Sequence, residues 1–264
     1  MAVRQNDEPA DEPNEAPLDE AVLGQARSDR EGLEWWLDRL RQEDATEAAQ
    51  LSGAGSATPI SVKAFDLIVE FEVSSKQVYE NKYRGTIWPG GASGVTIGIG
   101  YDVGYTTVAQ LRADWIETIS AAMIATLERA VGVQGAPVKA LTTALRPSVN
   151  IPFGSAITVH RGKVMPRWVA LVERALPNTG RLGPDSLGAL VSLTYNRGAS
   201  YANSGERFRE MRAIKTHMTN RAFTKIPAQF RSMKRLWPTV PGLQTRRARE
   251  ARLFEASLAA TPSV

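Results

Sequence analysis

The stretch that most constrains this chain is Val95-Thr-Ile-Gly-Ile-Gly-Tyr-Asp102. Strict alternation puts Val95, Ile97, Ile99 and Tyr101 on one face of an extended segment, and Thr96, Gly98, Gly100 and Asp102 on the other. The first face belongs to a core. The second has polar groups at its ends and no side chains between them, a surface that lets a bulky ligand lie against the backbone. A straight strand of this length separates its ends by roughly 20 Å, so Thr96 and Asp102 can act on one bond only if the chain curls at Gly98 or Gly100.

A helical pattern precedes it. Phe65, Ile68 and Val69 lie seven, four and three positions before Glu72, so this carboxylate continues the apolar stripe of a helix that opens at Thr58-Pro59 or Ser61. Glu70, in step with Asp66 and Lys63, falls on the polar side as solvated charge. Desolvation at the rim of an apolar face disfavours the charged form of a carboxyl and suits it to donate a proton near neutral pH. Glu72 is therefore the candidate general acid.

An acidic residue closing a first helix, Tyr79 shortly after, and then Gly94-Val-Thr-Ile-Gly-Ile-Gly-Tyr-Asp102 together resemble the phage-type lysozymes and the related pesticin-like muramidases. The resemblance continues in Ala189-Leu-Val-Ser-Leu-Thr-Tyr-Asn-Arg-Gly198, similar to their core helix, and in Pro241-Gly-Leu-Gln-Thr-Arg-Arg-Ala-Arg-Glu250, similar to their closing Arg-rich helix. It spans roughly residues 60 to 256. It implies an α+β, predominantly α, lysozyme-like fold, with a small β-sheet lobe beside a helical lobe. It also implies a peptidoglycan hydrolase that cleaves the β-1,4 bond between N-acetylmuramic acid and N-acetylglucosamine without a cofactor. Carried over, the catalytic acid falls on Glu72 and the active-site Thr on Thr96. Many phage lysozymes place an Asp nine residues after the acid, where this chain has Asn81 with Glu80 beside it. The pesticin-like branch carries its Asp at the end of the Thr-Ile-Gly strand, which falls on Asp102; Asp102 is favoured here, with Glu80 as runner-up. Substrate contact is expected at Glu80, Gly98, Gly100, Tyr101 and Asn196, with capping or core hydrogen bonding as the alternative for Asn196.

Charge divides the chain. Residues 1–58 hold 14 Asp and Glu against 5 Arg, net −9, so the remainder carries +13 of the overall +4. A basic body suits a polyanionic partner, bacterial wall polymer or nucleic acid, and no nucleic-acid motif supports the second. The first thirty residues, rich in Glu, Asp, Pro and Ala, are expected to be flexible. Leu33, Trp36, Leu37 and Leu40 have amphipathic spacing, fit to pack on the protein's own body or to dock a loading partner. Ser52-Gly-Ala-Gly-Ser-Ala57 reads as a flexible linker, giving a partly disordered acidic region 1–58 and a catalytic domain 59–264.

Further along, 108–131 reads as one helix, 147–164 as a small irregular β or loop insertion, and Pro184 to Gly198 as a buried helix capped by Gly198. Arg246, Arg247, Arg249 and Arg252 with Glu250 and Glu255 read as a salt-bridged outer helix. Other chemistries lack their residues. There is no Cys, and His160 and His217 are the two histidines, without HExxH spacing, which argues against a His-based zinc site or a Ser-His-Asp triad. Gly91-Ala-Ser-Gly-Val95 misses GxSxG at Val95, and Gly98-Ile-Gly100 misses GxGxxG at Val103. No apolar run is long enough to span a bilayer and no secretory h-region follows Met1. The expectation is a monomeric enzyme made in the cytoplasm that acts in the periplasm or on the wall after export, injection or lysis. Its partners would be peptidoglycan, a loading partner and an immunity protein.

Overall fold

A computed structural model describes residues 20–23 and 53–260. The amphipathic segment Glu31–Leu40 and most of the acidic region lie outside the described residues. The described residues are predominantly helical, with one two-stranded antiparallel sheet among them.

Helix α1 (Val62–Val73) opens at Ser61, whose hydroxyl accepts the Ala64 N–H at 3.0 Å. It ends at Ser74, held at φ 61°, and Ser75 at once caps α2 (Lys76–Lys82). Strands β1 (Thr96–Ile97) and β2 (Tyr101–Asp102) follow, with Thr96 opposite Asp102 and Ile97 opposite Tyr101. The expected curl is thus a full hairpin, turning through Gly98 and Gly100 at φ +58° and +68°, a region glycine enters without strain. A two-residue β-bridge from Ile87 to Thr96 extends the sheet.

Helices α3 (Val108–Trp115) and α4 (Ala121–Glu128) replace the single helix expected there. Ser120 breaks it by accepting the Met123 N–H as an N-cap, and Ile116, between the two helices, is 54% exposed. After α5 (Val138–Leu145), the segment expected to be β or loop is helical: α6 (Phe153–Val159), a π turn (His160–Val164) and α7 (Met165–Ala175) run together. The β-branched side chains there misled because burial outweighs their weak helix penalty: Val159 is packed in a core and Ile157 and Val164 lie against two.

The remaining elements are α8 (Pro184–Arg197), α9 (Arg209–Thr219), α10 (Ile226–Ser232) and α11 (Pro241–Ala260). Gly198 caps α8 at φ +69°, as expected. Gly188 lets α8 cross α1 closely, since a Cβ there would overlap the Cβ of Ala64. Helix α11 is not an outer helix. It packs along α8, and its Arg246, Arg247 and Glu250 are at most 2% exposed.

Two hydrophobic cores result. The helical core joins α1, α7, α8, α9, α10 and α11. The sheet-side core joins the hairpin, Tyr79 and α3 to α6. Val69, Ile157 and Val164 touch both, so the end of α1 and the α6–α7 turn form the junction. Segment 53–57 is also not a free linker: Ser56 donates to the Pro166 carbonyl at 2.9 Å and Gly55 lies on the Pro166 ring. Residues 20–23 are helical, with Leu23 in a small cluster with Leu67 and Phe71 of α1 and Glu20 paired to Lys82 at 3.1 Å.

Candidate active site

Glu72 sits one residue from the end of α1 with its side chain 9% exposed. Facing it is Arg246 of α11, Nη1 to Oε1 at 3.3 Å. Arg246 also donates to the Ser192 carbonyl and hydroxyl of α8 at 3.1 and 3.2 Å. The Ser192 hydroxyl donates to Glu250 at 2.6 Å, and Arg247 donates to both Glu250 (2.9 Å) and Asn196 (3.2 Å). The segments around Glu72, Ser192 and Arg246 are remote in sequence, and they meet in one buried polar network. Charges so buried hold only when paired, because desolvation is severe. Burial pushes the Glu250 carboxyl upward against the opposing pull of Arg247 and Arg246.

Glu70, expected to be plain solvated charge, is gripped at both oxygens by Arg249 at 2.8 Å. That fork matches the 2.7–2.9 Å of a strong charge-assisted pair, whereas the 3.3 Å Glu72–Arg246 contact is longer. One helix end thus presents two carboxylates to two arginines of α11, the outer one tightly and the inner one loosely.

The hairpin brings Thr96 and Asp102 side by side. Thr96 is 5% exposed and its backbone pairs with Ile87 on the other flank. Each Asp102 oxygen accepts a backbone N–H, from Gly94 and from Gly104, both at 2.9 Å. The two glycines are needed there: a Cβ on Gly104 would come within 2.7 Å of Gly94 Cα.

The glycines of the turn serve packing. Gly98 is buried, and a Cβ on it would come 2.9 Å from the Trp115 ring, so its face is filled by this protein's own indole. Gly100 is exposed, with the Tyr195 hydroxyl 2.7 Å from where its Cβ would stand. The Tyr101 side chain turns into the core, stacks edge-on against Trp115 and donates to Asp114, which Arg167 of α7 clamps at 2.7 and 2.8 Å. Tyr101 can therefore offer a ligand only its backbone. Glu80 accepts the Phe153 N–H at the start of α6 at 3.1 Å and pairs with Arg84 at 2.9 Å, which anchors α2 to α6.

The candidates thus fall into two groups. Glu72 and Asn196 belong to the polar network, while Thr96, Asp102, Gly98 and Gly100 belong to the hairpin. Comparison with protein-family models and with curated proteins yields no match. Two residues not singled out from the sequence bridge the groups. His160, on the π turn, is close enough to Glu72 and to the Ile99 backbone for both to act on its ring. Tyr195 of α8 packs against His160 at 5.8 Å between ring centroids and reaches Gly100. His160 lay in the stretch read as irregular β or loop and was weighed only as a zinc or triad residue. Tyr195 stood in plain view beside Asn196, but only the fold puts its hydroxyl at the hairpin.

Proposed function

We propose that this chain is a lysozyme-like muramidase, a glycoside hydrolase that cleaves the β-1,4 bond between N-acetylmuramic acid and N-acetylglucosamine of peptidoglycan. The observation that carries the reading is the meeting of the three motif-bearing segments at Glu72: the end of α1, Ser192 and Asn196 of α8, and Arg246 and Arg247 of α11 join in one network. A buried arrangement of this cost suits a site that must hold a carboxyl group still. Glu72 protonates the glycosidic oxygen as the bond lengthens. Asp102 stabilises the oxocarbenium-like charge or activates water, and Thr96 positions that water or the second carboxylate. A carboxylate offers about four acceptor sites, and the Gly94 and Gly104 amides use two of those on Asp102. The +13 charge of the body after residue 58 favours approach to anionic wall polymer. We place its action on the cell wall, as a bacteriolytic effector or phage-type endolysin, with an immunity protein as the expected partner of an injected form.

Two observations favour a second reading, a wall-binding module without catalysis: Asp102 has a structural duty at both oxygens, and Glu72 faces a cation. Digestion of purified peptidoglycan, borohydride reduction and mass spectrometry separate the two. New muramic-acid reducing ends support the muramidase. Sedimentation with peptidoglycan and no new ends supports the binding module, and glucosamine ends would move the cut by one sugar towards a chitinase-like activity.

A further inference from the structure

His160 is 1% exposed, and neither ring nitrogen closes a hydrogen bond of good geometry, although the Ile99 backbone lies close enough to act on the ring. An imidazole buried in this way gives up its hydration and gains at most a weak contact with the Ile99 backbone in return. Its ring lies between aromatic rings from two helices, Phe65 of α1 at 5.7 Å and Tyr195 of α8 at 5.8 Å. If packing alone were its purpose, phenylalanine would fill the place without stranding two nitrogens.

The backbone under it is also unusual. The Met165 N–H bonds the His160 carbonyl five residues back, so His160 opens a π turn inserted between α6 and α7. Such turns carry poorer geometry than an α-helix and concentrate at functional sites, where the extra residue re-aims a side chain. Here the turn sits at the junction of the two cores, with the imidazole against Phe65 of α1 and against Tyr195, whose hydroxyl reaches Gly100 of the hairpin, and near enough to Glu72 for that carboxylate to act on the ring.

We propose that His160 is a positioning residue of the Glu72 site: its imidazole completes a hydrogen bond to the Glu72 carboxyl, and so fixes that carboxyl's orientation, when substrate fills the junction. The inference rests on the muramidase reading. Catalytic hydrogen bonds are often long in the free enzyme and tighten in the complex, and the stranded nitrogens of His160 are the free-state counterpart of that bond. Glu72 from α1 and the Ile99 backbone of the hairpin act on the ring's charge, and the other polar groups packed nearby are the Tyr195 phenol from α8 and Arg161, stacked 4.4 Å over Phe65. Burial holds the imidazole down at about 4, against the upward pull of Glu72 and Ile99, so it meets substrate as a neutral donor.

The test uses the full chain with His160→Phe and His160→Gln. His160→Phe should keep or raise the Tm, leave KM within about twofold and lower kcat on peptidoglycan by about 10-fold or more, with partial recovery in His160→Gln, which can still donate. An unchanged kcat in His160→Phe, or a loss that tracks a lowered Tm, overturns the proposal. A second arm needs no activity: imidazole NMR should show His160 neutral at pH 6, with its titration midpoint moved further down in Glu72→Gln. A midpoint indifferent to Glu72→Gln overturns the proposal whatever the kinetics. A wild type that makes no new sugar ends overturns the muramidase reading, and the NMR arm then still decides whether His160 addresses Glu72.

Discussion

Glu72 and Asp102 belong to regions that hold a carboxylate by opposite means. In the helical core the holder is charge: Arg246 reaches Glu72 across 174 residues of sequence and is itself braced by Ser192 and Glu250. In the hairpin the holder is backbone: the Gly94 and Gly104 amides lie eight and two residues from Asp102. A charge network is stiff and strong while complete, but each member is costly to lose. A loop capped by its own amides fails gently. The helical core should therefore tolerate substitution poorly, and the hairpin should bend before the fold does.

The largest expected effect lies in the network. Arg247→Ala leaves Glu250 fully buried without its nearest cation, and removing one partner of a buried pair typically costs about 3–5 kcal/mol. Urea unfolding would measure it, and a loss under about 1 kcal/mol would erase the contrast between the regions. Next comes pH. Folded His160 takes its proton near pH 4 and an unfolded histidine near 6.5, so between those values the unfolded chain binds more protons. The stability contributed by neutral His160 is complete above 6.5 and is lost as pH falls towards 4, by about 3 kcal/mol. His160→Phe should flatten that part of the Tm profile. Glu210 acts in a lower window: burial opposes its charge, but hydrogen bonds from Arg235, Ser232 and Arg209 outweigh burial and hold it at about 2. Its contribution is present above about 4.5 and is lost as pH falls towards 2, so the two groups are separable by titration.

The smallest effect belongs to the hairpin. Asp102→Ala should cost about 1–2 kcal/mol, the scale of a lost cap and two orphaned amides. Hydrogen exchange at Gly94 and Gly104 should speed up while the amides of α8 stay protected. Global unfolding at the level of Arg247→Ala would instead make the hairpin part of the rigid core.

What the sequence made legible was local. The stripe leading to Glu72 and the Gly198 cap depend on neighbours within a few residues, and the structure realises both, whereas the alternation around Thr96 survives only as two short strands with Thr96 and Gly98 buried instead of open. The need for a curl at Gly98 or Gly100 was also visible, because Thr96 and Asp102, six residues apart, cannot meet along a straight strand. What stayed hidden depends on partners far along the chain. Arg246, Arg247 and Glu250 read as surface charge because nothing near them announces Ser192 or Glu72. Glu70 read as solvated because Arg249 is 179 residues away. The α6–α7 segment read as β or loop because its side chains are β-branched, and burial decided otherwise.

The central claim, that Glu72 is the proton donor and its neighbour is only structural, is tested most directly by comparing Glu72→Gln with Glu70→Gln on purified peptidoglycan. Both carboxylates face an arginine of α11, so either change removes one carboxylate partner from a guanidinium, Arg246 keeping Glu250 and Ser192. Glu72→Gln should cut the rate of new muramic-acid ends by on the order of 10²–10⁴-fold, the range expected for loss of a general acid, with Glu70→Gln close to wild type. A Glu72→Gln protein that still cleaves at the wild-type rate, or a Glu70→Gln protein that loses as much, would contradict the account.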